Sequence, residues 1–283
     1  MAVEIEGLEF ANWRLLDHSA PPLRGEVLTP FAVEELECQA VANGAPPLLH
    51  IWRHERALVL GLRDRRLPYA RPTMNEWRAR GWSTAVRNSG GAAVPLDDGV
   101  VNVSLILPAA TSVNLQQDFA RMAALISRTV QRLAVDALVR AGEITGAYCP
   151  GEFDLAIDGY KFCGIAQRRK LGAYVIQAFV VVEGSGSERA NAAASYYRQA
   201  AGEEPSSHAL VVTQNSTRSL QELLGEAAAA TGIPITAERY VQAVKEAMFD
   251  GDAQVDESYD YSYYDEGQLE AVIEAMQRRY DSN

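Results

Sequence analysis

The chain has 283 residues and a mass of 30.9 kDa, which favours one extended domain or one domain with a helical appendage. Its 48% hydrophobic content suffices for a substantial core, and its net charge of −11 argues against nucleic-acid binders and polybasic membrane-surface proteins. There is no secretory pattern, no apolar run of the roughly 20 residues that span a bilayer, and no metal-ligand spacing among the three cysteines. These features predict a cytoplasmic protein that binds neither nucleic acid nor membrane and holds no metal.

Charged residues are unevenly distributed along the chain. Residues 50–90 contain nine arginines and three acidic residues, whereas residues 1–49 hold eight acidic residues and two basic ones. The segment 250–283 is also acidic, and a second basic group lies at 168–170. The basic clusters are either solvated surface or a rim that attracts an acidic macromolecular partner.

The first 80 residues predict one helix, two strands and a second helix. A Thr-Pro pair at 29–30 is typical of a helix start, with the threonine as N-cap. Cys38 shares the apolar face of this helix, so we interpret it as a core residue. The other three elements are expected at 48–53, 57–62 and 76–80.

The middle of the chain alternates between strands and turns. Residues 82–107 predict three strands, separated by a Ser-Gly-Gly turn and an Asp-Gly turn. A long amphipathic helix is expected from Asn114 to about Arg140. A hairpin with the turn Asp158-Gly159 follows, and then a strand at 173–182 that is apolar enough to be buried on both faces.

The last third of the chain is predicted to be helical. Thr236 is a plausible N-cap, and the acidic, tyrosine-rich stretch 250–266 is typical of a flexible connection. We therefore expect a main domain at 1–250 and a linker with a terminal helix at 251–283. The fold class is α+β, with a mixed, mostly antiparallel sheet packed by helices. The expected helices are 187–200, 217–230, 237–249 and 266–280.

The Asp158-Gly159 turn gives one lysine a position of chemical interest. In a two-residue hairpin, Lys161 lies opposite Ala156, and Cys163 lies opposite Asp154. Because side chains alternate along a strand, all four residues point to the same face. Such a lysine is either a surface residue or a partly buried amine. The chain has 23 arginines and only three lysines, and Lys, unlike Arg, can release a proton. Lys161 is therefore a candidate for proton transfer.

Cys149 lies just before this hairpin, in the sequence Tyr-Cys-Pro-Gly at 148–151. Pro and Gly after a cysteine predict a turn that presents the thiol from a loop. Cys149 is therefore either a nucleophile, whose thiolate the ammonium of Lys161 helps to form, or an ordinary loop thiol. Cys163, expected on the face of Lys161, is the main rival nucleophile.

Four segments together resemble the lipoate/octanoate attachment family, whose catalytic domain is shared with biotin protein ligases. They occur in the family's order within residues 28–200 and are specific as a set. The cysteine, hairpin and last segments are most similar to those of the octanoyl-[glycine cleavage H protein]:protein N-octanoyltransferases. The segments are PPLLHIWRHERALVLGLRDRRLPY (46–69), RNSGGAAVPLDDGVVNVSLI (87–106), YCPGEFDLAIDGYKFCGIAQRR (148–169) and EGSGSERA (183–190).

Within this family, ATP-using ligases differ from cysteine-using transferases. At three positions where the ligases carry an arginine, a third glycine and a histidine, this chain has Val86, Ala92 and Leu96. Those departures argue against ATP-dependent ligation, and the presence of Cys149 indicates a transferase. The resemblance thus implies that residues 1–250 form an acyltransferase catalytic domain like that of the biotin and lipoate protein ligases.

The resemblance implies a two-step acyl transfer without ATP, metal or organic cofactor. Cys149 would take an octanoyl group from a lysine of glycine cleavage H protein as a thioester, which a lipoyl-domain lysine of a 2-oxoacid dehydrogenase E2 subunit would attack. Lys161 matches the family's motif lysine, which is expected to help ionise the thiol and to shuttle protons. Backbone donors of the glycine turn are expected to stabilise the oxyanion. The residues expected to bind substrate are Arg87, Ser89, Gly90, Gly91 and Gly164.

Three rival functions stay open at this point. The donor can instead be octanoyl-acyl-carrier protein, the chain can be an ATP-dependent lipoate-protein ligase, or it can be a non-catalytic lipoyl-domain binder. Because the family's carrier proteins are generally acidic, a basic rim from Arg53 to Arg87 and at 168–170 is expected to help docking.

Overall fold

The fold is taken from a computed structural model, which describes residues 5–109, 114–202, 209–232, 234–249 and 253–281. Among these residues, no helix combines the length and the apolar character needed to cross a membrane. The helices and strands are β1 (Asn12–Leu23), α1 (Thr29–Ala42), β2 (Leu48–His54), β3 (Arg56–Leu60), α2 (Ala70–Ala79), β4 (Ser83–Val86), β5 (Val94–Asp97), β6 (Val100–Pro108), α3 (Leu115–Leu133), β7 (Arg140–Ala141), β8 (Leu155–Ile157), β9 (Tyr160–Lys170), β10 (Ala173–Val181), α4 (Gly186–Ala201), α5 (Leu220–Thr231), α6 (Ala237–Met248), β11 (Gln254–Tyr259) and α7 (Glu266–Met276).

Two sheets organise the described residues. The large sheet has eight strands in the order β11-β1-β2-β6-β10-β9-β8-β7, and the small one has the order β4-β3-β5. Strand β1 pairs in parallel with β2 and β11, and β3 pairs in parallel with β4, while the remaining pairs are antiparallel. The predicted α+β class with a mixed, mostly antiparallel sheet is therefore confirmed.

Strand β6 shows how side-chain alternation separates the core from the site. Val101, Val103 and Leu105 join a buried apolar cluster with Met122 of α3 and Val244 of α6. The intervening side chains of β6 point to the opposite face, since successive residues of a strand alternate between faces. That opposite face is covered by α1 and by the small sheet, and it carries the polar groups described below.

Several element boundaries differ from the sequence prediction. Helix α2 begins six residues earlier than expected, because Pro72 lies in its first turn, where a missing amide costs little. Helix α3 ends at Leu133 rather than near Arg140, and the following Val135 is 84% exposed, so no buried face supports further turns. The N-cap of α1 is Leu28 rather than Thr29. Thr236 caps α6 as predicted, because its Oγ1 accepts from the amide of Arg239.

The β8–β9 hairpin contains a β-bulge that alternation alone does not predict. Ala156 pairs with Lys161 as expected, but Leu155 rather than Asp154 pairs with Cys163. Phe162 is thus the extra residue of the bulge. Every later side chain of β9 therefore points to the face opposite to the one predicted for a regular hairpin. Cys163 consequently lies fully buried in the α3–α6 core cluster, and the prediction that it shares the face of Lys161 is wrong.

The acidic segment near the C-terminus is ordered secondary structure. Strand β11 adds to the edge of the large sheet beside β1, and α7 packs against α1. The prediction of a flexible connection at 250–266 is therefore wrong for its described part, 253–266. Composition suggested a loop, but backbone pairing and one buried tyrosine, Tyr264, hold the segment in place. The domain boundary predicted at 250/251 lies outside the described residues.

Replacing Tyr264 by phenylalanine tests this attachment. The hydroxyl of Tyr264 donates a 2.6 Å hydrogen bond to Oε1 of Glu37, whose carboxylate is buried. Because hydrogen bonds to charged groups contribute about 1.5–3 kcal/mol, we expect Tyr264→Phe to lower the free energy of unfolding by about 1.5 kcal/mol in a urea titration. The neighbouring Tyr263 is 67% exposed, and Tyr263→Phe serves as the matched control with little expected change. Equal losses in both variants would contradict the assigned role of the Tyr264 hydroxyl.

Candidate active site

Cys149 lies on the loop between β7 and β8, at the junction of the two sheets. Its backbone has a φ of 48°, a left-handed conformation that costs energy for a residue with a Cβ. Its side chain lies among the apolar residues that separate the large sheet from the small one, and the residue is only 8% exposed. The loop therefore presents the thiol inward, toward a cavity between the sheets, and not to bulk solvent.

Lys161 binds the backbone of this loop through hydrogen bonds. Its Nζ donates hydrogen bonds to the carbonyl oxygens of Tyr148 at 3.0 Å and Cys149 at 2.5 Å, and it lies 2.7 Å from Oδ2 of Asp154. These three acceptors match the three protons of an ammonium group. Lys161 is fully buried, so of the two alternatives from the sequence the buried amine is correct.

Asp154 is the counter-ion of this buried lysine. Its Oδ2 also accepts a 3.1 Å hydrogen bond from the amide of Gly151, which closes the turn after Pro150. Burial raises the pKa of Asp154 from its usual value to about 6, and the ammonium of Lys161 offsets part of that rise. At neutral pH Asp154 is therefore a carboxylate paired with Lys161.

The sulfur of Cys149 contacts the small-sheet side of the junction. The amide of Ala92 donates to Sγ at 3.2 Å, and Nη2 of Arg87 lies 3.5 Å from Sγ. No hydrogen bond joins Lys161 to Sγ, because the three protons of Nζ have other partners. The cation in direct contact with the sulfur is therefore Arg87, while Lys161 acts on the backbone of Cys149.

Arg87 organises the Ser-Gly-Gly turn around its own guanidinium group. Nε donates to the carbonyl of Gly90 at 2.9 Å, Nη2 to the carbonyl of Ala92 at 2.7 Å, and Nη1 to the carbonyl of Val59 at 3.3 Å. Gly91 within the turn has a φ of 95°, which favours glycine. The arginine is buried, so these backbone acceptors are its means of satisfying its donors.

A second group of hydrogen bonds fixes the far side of the turn. The hydroxyl of Tyr197 on α4 accepts from the amide of Ala93 at 3.0 Å and donates to Oδ1 of Asp64 at 2.8 Å. Oδ2 of Asp64 accepts from the amide of Gly61 at 2.7 Å, and burial raises the pKa of the Asp64 carboxyl. Nothing in the local sequence signals this brace, since Tyr197 is 104 residues from Ala93 and 133 residues from Asp64.

An apolar cavity opens beside Cys149. It contains about 480 Å³ of empty space, part of it open to solvent. Most of its lining is aliphatic or aromatic, with a few polar groups. The lining residues are Phe31, Trp52, Val59, Arg87, Ser89, Val94, Leu96, Asn102, Ser104, Cys149, Gly164, Ile165, Ala166, Gln177, Ala178 and Phe179.

The predicted site residues occupy two kinds of position around this cavity. Arg87, Ser89, Gly164 and Cys149 line it, as the sequence prediction requires for substrate contact. Gly164 leaves room for its neighbours, because an added Cβ would lie 2.5 Å from Cε1 of Phe179 and 3.3 Å from Nζ of Lys161. Gly90 and Gly91, by contrast, are not among the lining residues; they shape the turn behind the sulfur.

Cys163 is not a rival for Cys149. The bulge at Phe162 places its side chain in the core cluster on the opposite face of the sheet. Burial raises the pKa of the Cys163 thiol far above its usual range, and the carboxylate of Asp154 adds to that rise. Cys38 is likewise buried, in the cluster under α1, as predicted.

The basic group at 168–170 pairs with acidic residues of other elements. Arg168 and Lys170 both pair with Glu35, the latter at 2.8 Å, and Arg169 pairs with Asp118. These ion pairs could not be predicted from the sequence, because the acidic partners lie far away in the chain, on α1 and α3. The acidic partners offset part of the positive charge of these three residues, and their role in docking stays a prediction.

The arginines of the 50–90 segment divide into internal and surface groups. Arg53 is buried and pairs with Glu238 at 2.8 Å, and Arg87 belongs to the site. Arg63 and Arg66 are exposed, directly after β3, and neither forms an ion pair with any described residue. Most of the segment's arginines lie at the surface, since Arg56, Arg71, Arg78 and Arg80 are exposed as well.

Gly91→Ala, with Gly90→Ala as its matched control, tests the architecture of the turn. A Cβ at Gly91 would overlap Nη2 of Arg87 and lie 2.9 Å from Sγ of Cys149, whereas a Cβ at Gly90 meets nothing within 4 Å. With the cost of positive φ added, we expect Gly91→Ala to lower the free energy of unfolding by about 2–4 kcal/mol in urea titrations. Gly90→Ala is expected to change it by less than about 0.5 kcal/mol. Similar values for the two variants would contradict the described packing of Gly91.

The chain is similar in sequence to known proteins. A family model described as the lipoyl protein ligase A/B catalytic domain matches residues 26–249. The octanoyl-[GcvH]:protein N-octanoyltransferase of Anoxybacillus flavithermus is 37% identical over 241 residues, covering 84% of this chain and 86% of the relative. The protein of the same name from Geobacillus kaustophilus is 38% identical over 223 residues, covering 78% of each.

Solved structures show the same fold. A lipoate-protein ligase A bound with ATP superposes with a TM-score of 0.66 at 16% identity, covering 97% of both chains. A bi-partite lipoate protein ligase from Thermoplasma acidophilum gives a TM-score of 0.60 at 17% identity, covering 96% of this chain and 94% of the other. The predicted ligase-like architecture is confirmed, and the chain belongs to the lipoyl protein ligase A/B catalytic domain family.

Proposed function

We propose that this protein is a cysteine-dependent octanoyltransferase that moves an octanoyl group from glycine cleavage H protein to the lipoyl domains of 2-oxoacid dehydrogenase E2 subunits. The observation that carries the proposal is the thiol of Cys149 at the wall of an apolar cavity, beside Arg87 and the amide of Ala92. The names of the relatives from A. flavithermus and G. kaustophilus support the octanoyl group and the donor. Free thiols at all three cysteines support a cytoplasmic location.

In the first step the thiolate of Cys149 attacks the carbonyl carbon of the octanoyl-lysine amide of H protein. A C–S bond forms, the amide C–N bond breaks, and the proton from the thiol passes to the departing lysine amine. The amide of Ala92 already points at the sulfur, so it is the backbone donor best placed to stabilise the oxyanion beside it. The octanoyl chain would enter the cavity, whose aliphatic lining suits an alkyl group.

In the second step a lipoyl-domain lysine amine attacks the thioester carbonyl. The C–N bond forms, the C–S bond breaks, and the amine's proton returns to the sulfur of Cys149. A buried thioester is protected from hydrolysis while the two carrier proteins exchange, because bulk water has little access to Cys149. Neither step consumes ATP.

Two cations have different roles in this proposal. Arg87 lies 3.5 Å from the sulfur and supplies positive charge directly to the thiolate. Lys161 donates to the carbonyl of Cys149 and so fixes the backbone of the nucleophile, while the proton transfer expected of it from the resemblance stays a prediction. Its ion pair with Asp154 keeps the ammonium in place between turnovers.

The alternative of an ATP-dependent ligase has less support at the same site. Val86 and Leu96, where the ligases carry arginine and histidine, are 1% and 2% exposed and belong to the apolar cluster around the cavity. Neither side chain can donate to a phosphate. For docking of the acidic carrier proteins, the exposed arginines of the 50–90 segment, Arg63 and Arg66 among them, supply positive charge.

Intact mass spectrometry after mixing the protein with octanoylated H protein, without ATP, tests the proposal. We expect an octanoyl adduct on the wild type and on Cys163→Ala, because Cys163 faces the core. Cys149→Ala is expected to show no adduct, since it lacks the nucleophile. Adding an unmodified lipoyl domain to the acylated protein should then discharge the adduct onto that domain.

Other outcomes of this experiment point to the rival functions. An adduct that forms only with octanoyl-acyl-carrier protein would keep the chemistry and change the donor. Octanoyl-adenylate formation with octanoate and ATP would instead identify a ligase. Binding of the lipoyl domain without acylation by either donor would leave the non-catalytic binder as the function.

The pH dependence of acylation tests the Asp154–Lys161 pair. Burial raises the pKa of Asp154 to about 6, so below this pH the carboxyl takes up a proton and Lys161 loses its counter-ion. We expect the single-turnover acylation rate of Cys149 to fall as the pH drops through about 6. Asp154→Asn should be at least tenfold slower at pH 7.5 and should lack this acidic limb, because an amide does not titrate. A wild-type limb that persists unchanged in Asp154→Asn would assign it to another group.

A further inference from the structure

Three parallel rows of side chains cross the large sheet beside Cys149, and the first two of them line the cavity. Each row crosses four strands, and consecutive rows are two residues apart, about 7 Å, because a strand rises about 3.4 Å per residue. The first row, nearest the cysteine, consists of Trp52, Asn102, Phe179 and Gly164. The second consists of His50, Ser104, Gln177 and Ala166. The third consists of Leu48, Ile106, Val175 and Arg168.

The first row adjoins the reactive sulfur. Gly164 lies against Lys161, since an added Cβ would be 3.3 Å from its Nζ, and Lys161 in turn holds the carbonyl of Cys149. The ring of Phe179 stacks on that of Tyr148 at 5.7 Å, beside the cysteine. An acyl chain attached to Cys149 would therefore pass the first row before it reaches the second.

The second row is polar, although it lies in the interior. Nε2 of Gln177 donates to Oε2 of Glu34 on α1, and Nδ1 of His50 lies 3.2 Å from Oε1 of the same carboxyl group. Ser104, between His50 and Gln177, is 1% exposed. Oε1 of Gln177 is buried and accepts from no described residue. We call Glu34, His50, Ser104 and Gln177 the polar belt.

Beyond the polar belt the space is filled. Leu48, Ile106 and Val175 of the third row form a buried cluster with α1, packed against Val33 and Cys38. The cavity lining includes Ser104 and Gln177 but none of the three apolar residues behind them. The cavity therefore ends at the polar belt, with apolar packing on the far side.

We propose that the polar belt sets the upper limit of acyl chain length for the transfer reaction, a proposal that rests on the function assigned to Cys149. Methylene groups that pass the first row gain apolar contacts. Groups that reach the second row would have to press on Gln177 and separate its amide from Glu34, leaving buried polar atoms without partners. The belt thus accepts an acyl chain of medium length and rejects longer chains by desolvation as well as by shape.

Gln177→Ala tests the proposal, with Gln167→Ala as the matched control. Gln167 lies on β9 and is absent from the cavity lining. The readout is the initial rate of Cys149 acylation by octanoylated and by dodecanoylated H protein, followed by intact mass. We expect wild type and Gln167→Ala to favour octanoyl strongly, and Gln177→Ala to raise the dodecanoyl-to-octanoyl rate ratio at least tenfold.

A second variant tests the same limit on chain length if Gln177→Ala folds poorly. Ala166 is the small member of the second row, and Ala166→Leu should shorten the cavity. It is expected to lower the octanoyl-to-butanoyl rate ratio at least tenfold. Octanoyl acylation with unchanged ratios in both variants would overturn the chain-length role while leaving the transferase intact. Absence of any octanoyl adduct in the wild type would overturn the transferase, and the polar belt's role with it.

Discussion

One buried positive charge determines the geometry of the candidate site. An ammonium group removed from water costs several kcal/mol unless acceptors replace its hydration, so Lys161 can be buried only with partners around it. Asp154 supplies one partner, and the carbonyls of Tyr148 and Cys149 supply the others. To offer both carbonyls, the chain passes through a left-handed conformation at Cys149, which turns its side chain toward the small sheet.

The thiol is consequently held from two sides by different parts of the fold. The large sheet fixes its backbone through Lys161, and the small sheet contacts its sulfur through Arg87 and the amide of Ala92. Arg87 satisfies its donors with carbonyls of the same turn, so the turn and the charge beside the sulfur are one unit. Strain at Cys149 persists because both sides constrain it.

Local patterns predicted most of the elements but left the role of Cys149 open, and long-range pairing escaped them. Alternation placed Asp154 beside Lys161, and capping chemistry placed the start of α6, because both effects act over a few residues. The bulge at Phe162 could not be foreseen, since a one-residue register shift leaves no mark on composition. The ion pairs of Arg168 and Lys170 with Glu35, and the brace from Asp64 to Tyr197, depend on contacts between distant segments.

The two edges of the large sheet bear on its behaviour at high concentration. An open edge strand offers unpaired amides and carbonyls to a second copy of the chain, which is a common route to aggregation. Here one edge is β11, which carries Asp256 and Glu257, so that two copies approaching edge to edge would bring like charges together. The other edge is β7, which at two residues is too short to template a strand. The acidic strand at this edge thereby disfavours edge-to-edge pairing of two copies.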